Sequence, residues 1–127
     1  MKTLALLAIL LPVAGTAQAP DSFAKWWPGF QAAVARKDGE AVGKGAKFPM
    51  GWELGKIRQL KSSADLIGHF DVYFPAEIRK AVATGKPVSL PNGIYSITWK
   101  ARGDEYSMYF EFSGGTFVLQ ALSEGPG

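Results

Sequence analysis

Residues 95–121, YSITWKARGDEYSMYFEFSGGTFVLQA, decide the fold class of this chain. Apolar and polar side chains alternate there in three runs, which is the period of a β-strand with one buried face. The segments Arg102-Gly103-Asp104 and Ser113-Gly114-Gly115 separate the runs and are short enough to join them as antiparallel hairpins. The apolar positions of the three runs are Tyr95, Ile97, Trp99, Tyr106, Met108, Phe110, Phe112, Phe117, Leu119 and Ala121.

The chain before these strands has a helical period instead. One apolar stripe recurs at spacings of four, three and four residues, which is typical of an amphipathic α-helix. Pro28-Gly29 interrupts it, so the helix either kinks there or begins its regular part at Pro28. Lys37-Asp38-Gly39 is expected to end it, with a left-handed cap at the glycine. The stripe consists of Phe23, Trp27, Phe30 and Val34.

Two further helices are predicted before the strands. Ser62 or Ser63 caps the first of them, which carries Phe70 on its buried stripe. The second starts near Pro75 and continues until Gly85. Helices gathered first and strands afterwards predict an α+β domain, in which a helical layer covers one face of an antiparallel sheet.

Three shorter segments have weaker patterns. Residues 47–50 favour an extended conformation, because the residue before a proline is pushed towards β. Residues 51–55 are interpreted as a loop or the tip of a hairpin leading into 56–60. The tail 124–127 is expected to be loose.

The N-terminal residues predict a secretory signal peptide, 1–19. One lysine precedes an apolar run over 4–13, and small residues follow it. The run is about half of the roughly 20 residues that a membrane-spanning helix needs. Cleavage is expected after Ala17 or Ala19, which leaves 20–127 as a single domain in the bacterial periplasm or secreted, with no membrane attachment.

Composition excludes several classes of protein. Fourteen basic and 11 acidic side chains give a net charge of +3 over 127 residues, and the basic ones are spread along the chain, so a nucleic-acid partner is not expected. The chain has no cysteine, which excludes disulfides and thiolate metal sites. No phosphate-binding loop, calcium loop or zinc ligand set is recognisable, so neither a cofactor nor a metal is expected.

Aromatic residues are the most informative feature for function. They exceed what a core of this size needs, and Trp and Tyr carry polar atoms that favour a wet edge. They predict a binding or interaction module for a small apolar ligand or a protein partner, with a homodimer left open. Trp52 and Tyr109 are the anchors expected to be exposed. The candidate binding residues are Trp26, Trp52, Tyr73, Trp99 and Tyr109.

The order of hydrophobic anchors carries a family resemblance. They are the aromatic start 23–30, Ala33-Val34, Asp38, Val42, Phe48-Pro49, Phe70, Tyr73-Phe74, Ile78 and the three terminal strands. In this pattern the chain resembles the NTF2-like (cystatin-like) superfamily, and in particular its small exported bacterial members of unassigned function. The resemblance implies a cone-like half-barrel, in which a long N-terminal helix packs into a bent antiparallel sheet, often with a cavity at the open end. It also implies that dimers form through the sheet in many members.

One pair of residues supports an enzyme as the alternative. Asp65 precedes His69, the single histidine, by four residues on one predicted helix face, so the carboxylate could orient the imidazole. The resemblance implies the same, because some enzymes of the superfamily use an Asp–His dyad. A solvated helix face explains the pair equally well. The sequence thus leaves open a cavity enzyme of the dehydratase or isomerase type, and also an immunity-type protein against a periplasmic toxin.

Overall fold

The computed structural model describes residues 14–126, with the side chains of 22–125. Most of the predicted signal peptide, residues 1–13, lies outside the described residues. Among the helices that are described, none combines the length and the apolar character needed to cross a membrane.

The first element is a long helix, α1 (Ala14–Ala35), which continues through Pro28. A proline in a helix interior costs about 3 kcal/mol, because it lacks the N–H of one hydrogen bond and crowds the preceding turn. Trp27 and Phe30, on either side of the proline, are both buried in the same core, whereas Pro28 itself lies on the exposed side. Of the two alternatives predicted at Pro28, a start of the regular helix there is wrong, because α1 begins at Ala14 and continues through the proline. Ring burial on both sides offsets the cost of the proline.

The end of α1 also differs from the prediction. Lys37 takes the left-handed conformation, with φ of 56°, in place of Gly39. Gly39 instead begins α2 (Gly39–Lys44), which Asp38 caps with its side chain. A Cβ atom on Gly39 would lie 3.1 Å from the Ile67 Cα, so this glycine allows α2 to approach the helix Ser63–Gly68 closely.

The predicted middle helix is split in two, α3 (Ser63–Gly68) and α4 (Phe70–Tyr73). Its cap is confirmed, because the Asp65 N–H donates to Ser62 Oγ at 3.1 Å. The break at His69 was not predicted. It turns the chain so that the Phe70 ring stacks on Phe74, with 5.1 Å between the ring centroids. After Pro75 the chain forms α5 (Ala76–Thr84), which ends before Gly85 as expected.

Six strands form one sheet in the order β2-β1-β6-β5-β4-β3. The three predicted strands, β4, β5 and β6, pair antiparallel as expected. The described neighbours β1 and β6 pair in parallel, so the sheet as a whole is mixed. The strand β3 was not predicted, and residues 51–55 belong mostly to a strand. The strands are β1 (Met50–Leu54), β2 (Ile57–Leu60), β3 (Val88–Leu90), β4 (Ile94–Ala101), β5 (Asp104–Ser113) and β6 (Thr116–Pro126).

The two predicted hairpins are confirmed. In Arg102-Gly103 and in Gly114-Gly115 both residues have positive φ, the backbone that matches the right-handed twist of paired strands. The strand β6 runs on to Pro126 and pairs with the start of β5, so the expectation of a loose tail is wrong for residues 124–126, and Gly127 lies outside the described residues. The Glu124 N–H also donates to Glu53 Oε1 at 2.8 Å, which ties the end of β6 to β1.

The core lies between α1 and the inner face of the sheet, and aromatic rings fill it. Phe110 on β5 is the central ring, with four rings of α1 at centroid distances of 5.2 to 5.9 Å. Helices packed over one face of a bent sheet confirm the predicted α+β class. The rings around Phe110 are Phe23, Trp26, Trp27 and Phe30.

Candidate functional site

An open hollow of about 430 Å³ lies where the N-terminal half of α1 meets the edge of the sheet formed by β3 and β4. We call it the Tyr95 hollow. Among the described residues its wall is apolar apart from two hydroxyl groups, and it contains no Asp, Glu, Lys, Arg or His. The lining residues are Phe23, Ala24, Trp27, Pro87, Ser89 and Tyr95.

Local sequence explains why these side chains meet. Phe23 and Trp27 are four residues apart on α1, so they project from one face of the helix. Ser89 and Tyr95 are directly paired across β3 and β4, so they point to the same face of the sheet. Ala24 carries only a methyl group between the helix and the edge strand, which leaves the space open.

Tyr95 is the buried polar residue of this wall. Its ring stacks on Phe23 with 4.1 Å between centroids and 2° between the planes, and it meets Phe117 edge to face. The side chain is only 6% exposed. Its hydroxyl oxygen has no hydrogen-bond partner among the described residues. A buried hydroxyl left unpaired costs about 1–3 kcal/mol, so pairing this group with a ligand atom or a water is favourable.

Tyr106, on the neighbouring strand, has the hydrogen-bond partner for its hydroxyl that Tyr95 lacks. It is equally buried, and its hydroxyl donates to Glu124 Oε2 at 3.2 Å. Burial, followed by this hydrogen bond, raises the pKa of the Tyr106 phenol above its ordinary value of 10.0. The two buried tyrosines therefore differ in that the Tyr106 hydroxyl is paired and the Tyr95 hydroxyl has no partner among the described residues.

The chemistry of the Tyr95 hollow follows from its wall. Apolar rings favour an apolar molecule, and a described lining without acidic or basic side chains favours an uncharged one. The Tyr95 hydroxyl can donate to or accept from one polar atom of that molecule. Less than 1 Å² of its oxygen is exposed, so a wall side chain must shift before a ligand reaches it.

Trp52 was predicted to be an exposed binding anchor, and this is wrong. Its side chain is 0% exposed. Its Nε1 donates to the Tyr73 carbonyl oxygen at 3.1 Å, and its ring packs on Phe74 with 5.2 Å between centroids. The turn of the chain at α4 supplies both contacts, so Trp52 is a structural residue.

The other predicted binding residues lie in different parts of the molecule. Trp26 is half-buried beside Gly45, in a crevice of about 180 Å³ between α1 and α2. Tyr73 and Tyr109 are half-buried too, and Tyr109 lies on the outer face of the sheet, opposite Ser96. Trp99 borders another hollow, under α5. Together with buried Trp52, these residues do not form one site.

The structure places His69 at the break between α3 and α4, where its side chain is exposed. Asp65 is half-buried in the first turn of α3. The hydrogen bond found between the two residues joins backbone atoms, the His69 N–H and the Asp65 carbonyl oxygen at 3.0 Å. No hydrogen bond joins their side chains within the part of the chain that is described. Catalysis by this pair remains a prediction.

No group of three or more His, Cys, Asp or Glu side chains in residues 22–125 is arranged to hold a metal ion.

The sequence patterns that contain the residues of the Tyr95 hollow predict core positions for them. Phe23, Trp27 and Tyr95 were all assigned to buried faces, which is correct for most of their surface. Tyr95 differs from its inward neighbour Ile97 in carrying a hydroxyl that needs a partner. No sequence pattern predicts that Pro87 and Ser89 line the hollow, because β3 was not predicted.

Comparisons with known proteins bear on the fold. No family model matches the sequence, and no curated protein matches it. A solved structure of a five-substitution variant of the protein Rd1NTF2_05 is similar over 83% of this chain and 97% of its own, with a TM-score of 0.49 at 11% identity. An NTF-2 like protein of unknown function from Shewanella oneidensis MR-1 is similar over 82% and 96%, with a TM-score of 0.48 at 11% identity.

Proposed function

We propose that this protein is an exported, periplasmic binding module, and that the Tyr95 hollow takes an uncharged apolar molecule carrying one hydrogen-bonding atom. The observation that carries the proposal is that Tyr95 lines an open apolar hollow while its hydroxyl, buried behind the wall, has no hydrogen-bond partner among the described residues. The export part is supported by the signal pattern of residues 1–19.

The size and lining of the hollow suit a small ligand. Its volume of about 430 Å³ falls in the range of roughly 300–1,000 Å³ that is usual for small-molecule sites. Burial of apolar surface contributes about 25 cal/mol per Å² to the affinity. A ligand atom that pairs with the Tyr95 hydroxyl adds about 0.5–1.5 kcal/mol. Burial therefore supplies most of the affinity, and the hydroxyl supplies selectivity.

Two probes of nearly equal shape separate these contributions. 2-Acetylnaphthalene has a carbonyl oxygen, whereas 2-ethylnaphthalene has hydrogens in its place. We expect the wild-type protein to bind the ketone about 3- to 10-fold more tightly, which corresponds to one hydrogen bond. In Tyr95→Phe the preference should disappear, while 2-ethylnaphthalene binds as well as before. Isothermal titration calorimetry measures all four affinities.

Tyr109→Phe is the matched control, because it removes a phenol hydroxyl from the outer face of the sheet. It should keep the wild-type preference for the ketone. Equal binding of both probes by the wild-type protein, or no binding of either, would contradict the proposal. Assembly as a homodimer and a role as an immunity-type protein remain predictions from the sequence.

A further inference from the structure

The hydroxyl oxygen of Tyr95 is closed off, although the Tyr95 side chain lines an open hollow. A ligand that pairs with this oxygen therefore requires one wall of the hollow to move. Two walls face each other there, the helix α1 and the strand β3 with Pro87 before it, and they are held in place differently. The inference drawn from this difference rests on the proposed function, because it concerns the path of the ligand to the same hydroxyl.

Aromatic packing fixes the α1 wall. Phe23 contacts five rings at centroid distances of 4.1 to 5.9 Å, among them Phe110 and Phe117 of the sheet. Trp27, the other ring of this wall, packs on Phe30 and Phe110. Phe23 is 3% exposed and Trp27 is 8% exposed. Displacing α1 would pull these rings out of the core and return their apolar surface to water, which is costly.

The β3 wall is held by much less. In the described sheet β3 is the last strand, and it pairs with β4 at three positions. Val88 and Ser89 are exposed, and Pro87 and Leu90 are half-buried. A short edge strand with few buried apolar contacts opens at a lower free energy than the centre of a sheet. Of the two walls, β3 is therefore the one that moves more easily.

Both ends of the β3 segment are anchored and carry a glycine. On one side, Gln31 Nε2 donates to the Val82 carbonyl oxygen at 2.9 Å, which ties the end of α5 to α1. Gly85 follows that anchored end directly. On the other side, Asn92-Gly93 makes the tight turn into β4, with positive φ at both residues. Residues 86–91 thus lie between two anchored points, and a glycine at each point allows the backbone to change direction.

We propose that residues 86–91 form a gate over Tyr95. The gate swings away from β4 about Gly85 and Gly93, and the ligand enters between β3 and α1. The strand β3 pairs with β4 again once the ligand has reached the Tyr95 hydroxyl. Such a movement gives access to the hydroxyl while the rings of α1 stay packed. Ligand association and dissociation are then both limited by the opening of β3.

A disulfide between β3 and β4 locks the gate, and the chain has no cysteine of its own that could interfere. Val88 and Ser96 are directly paired across the two strands. They lie on the face of the sheet that points away from the hollow, because the neighbouring pair Ser89 and Tyr95 lines it. Paired residues of antiparallel strands have Cα atoms about 4.5–5.5 Å apart, which suits a disulfide. The test variant therefore carries Val88→Cys and Ser96→Cys.

Thr98→Cys combined with Ser107→Cys is the matched control. These residues are directly paired too, with 2.9 Å between their hydroxyl oxygens, but they join β4 to β5. Stopped-flow quenching of tryptophan fluorescence follows the association of 2-acetylnaphthalene, since Trp27 lines the hollow. We expect oxidation of the Val88/Ser96 cysteine pair to slow association at least about 10-fold and reduction to restore it. Oxidation of the control pair should leave the rate unchanged.

Oxidation after binding separates a gate from a distorted hollow. A ketone bound before the disulfide forms should leave at least about 10-fold more slowly than it leaves the reduced protein, because the gate is then locked over it. A hollow that the disulfide merely distorts would release the ketone faster. Faster release, or equal rates of association in the oxidised and reduced protein, would overturn the proposal.

Hydrogen exchange of the unliganded wild-type protein tests the opening without a ligand. The amides that bond β3 to β4 should exchange at least about 10-fold faster than those that bond β4 to β5. Equal exchange rates in the two sets would also overturn the gate. If the wild-type protein binds neither naphthalene probe, the proposed function fails, and the exchange rates still decide whether β3 opens.

Discussion

Trp52 and Tyr95 are both buried aromatic residues with one polar atom, and both lie on strands of the same sheet. The Trp52 indole N–H donates to the Tyr73 carbonyl oxygen in a closed corner under α4. The Tyr95 hydroxyl has no described partner and lies beside an open hollow. Burial is alike at the two positions, so burial alone does not separate a structural residue from a binding residue. The two residues differ in their hydrogen bonds, and an unpaired buried polar atom can accept a partner such as a ligand atom or a water.

The largest expected effect concerns the aromatic core that lies under the Tyr95 hollow. Phe110→Ala removes the ring that four rings of α1 contact, so we expect a loss of about 3–5 kcal/mol in the free energy of unfolding, measured by urea denaturation. Phe112→Ala, on the same strand but 37% exposed, should lose much less. Similar losses for the two variants would mean that the core is not filled as described.

Trp52→Phe should have the next largest effect. It leaves the Tyr73 carbonyl oxygen without its partner and opens a small cavity, which together cost about 2–4 kcal/mol. Trp99→Phe makes the same chemical change where the indole N–H has no described partner, so it should cost clearly less. Thermal and urea unfolding of both variants measure the difference. If the two substitutions cost the same, the hydrogen bond of Trp52 does not distinguish the two regions.

Tyr95→Phe should stabilise the protein, whereas the two substitutions above destabilise it. Without ligand, it removes an unpaired buried hydroxyl and keeps the ring, so the free energy of unfolding should rise by about 1 kcal/mol. Tyr109→Phe serves again as the control and should change stability little. A destabilised Tyr95→Phe would show that the hydroxyl already has a partner, such as an internal water.

The smallest expected effect is the alkaline titration of Tyr106. Its pKa in the folded protein lies above the ordinary value of 10.0, mainly because of burial. The stability linked to this group is therefore fully present below about pH 10 and is lost as the pH rises through the folded pKa. Ultraviolet absorbance of tyrosinate should show at least one of the four tyrosines titrating late, and Tyr106→Phe should remove that phase. Titration of all four near the ordinary value would contradict the burial of Tyr106.

Much of the fold could be predicted from the sequence because its signals are local. The alternation of Tyr95, Ile97 and Trp99 defines β4, and the glycine turns define the hairpins around β5. The parallel pairing of β1 with β6 joins residues about 70 positions apart, as Trp52 and Leu122 show, and no local pattern specifies it. The strand β3 is three residues long and mostly exposed, so it has no alternation to detect.

The candidate site was less predictable, because it depends on contacts between residues that are distant in sequence. Trp52 lies after Gly51 in a short glycine-flanked strand, and its burial depends on α4, which is distant in sequence. The helix break at His69 decides where that side chain points, and the serine cap of α3 gives no sign of it. The Tyr95 hollow exists where α1 meets β3, so it required the tertiary structure.

A crystal structure of the protein with 2-acetylnaphthalene tests the central claim most directly. We expect the naphthalene ring beside Trp27 and Pro87, with its carbonyl oxygen about 2.7–2.8 Å from Tyr95 Oη. A ligand bound elsewhere, or an unliganded crystal in which an ordered water already pairs with the Tyr95 hydroxyl, would contradict the account.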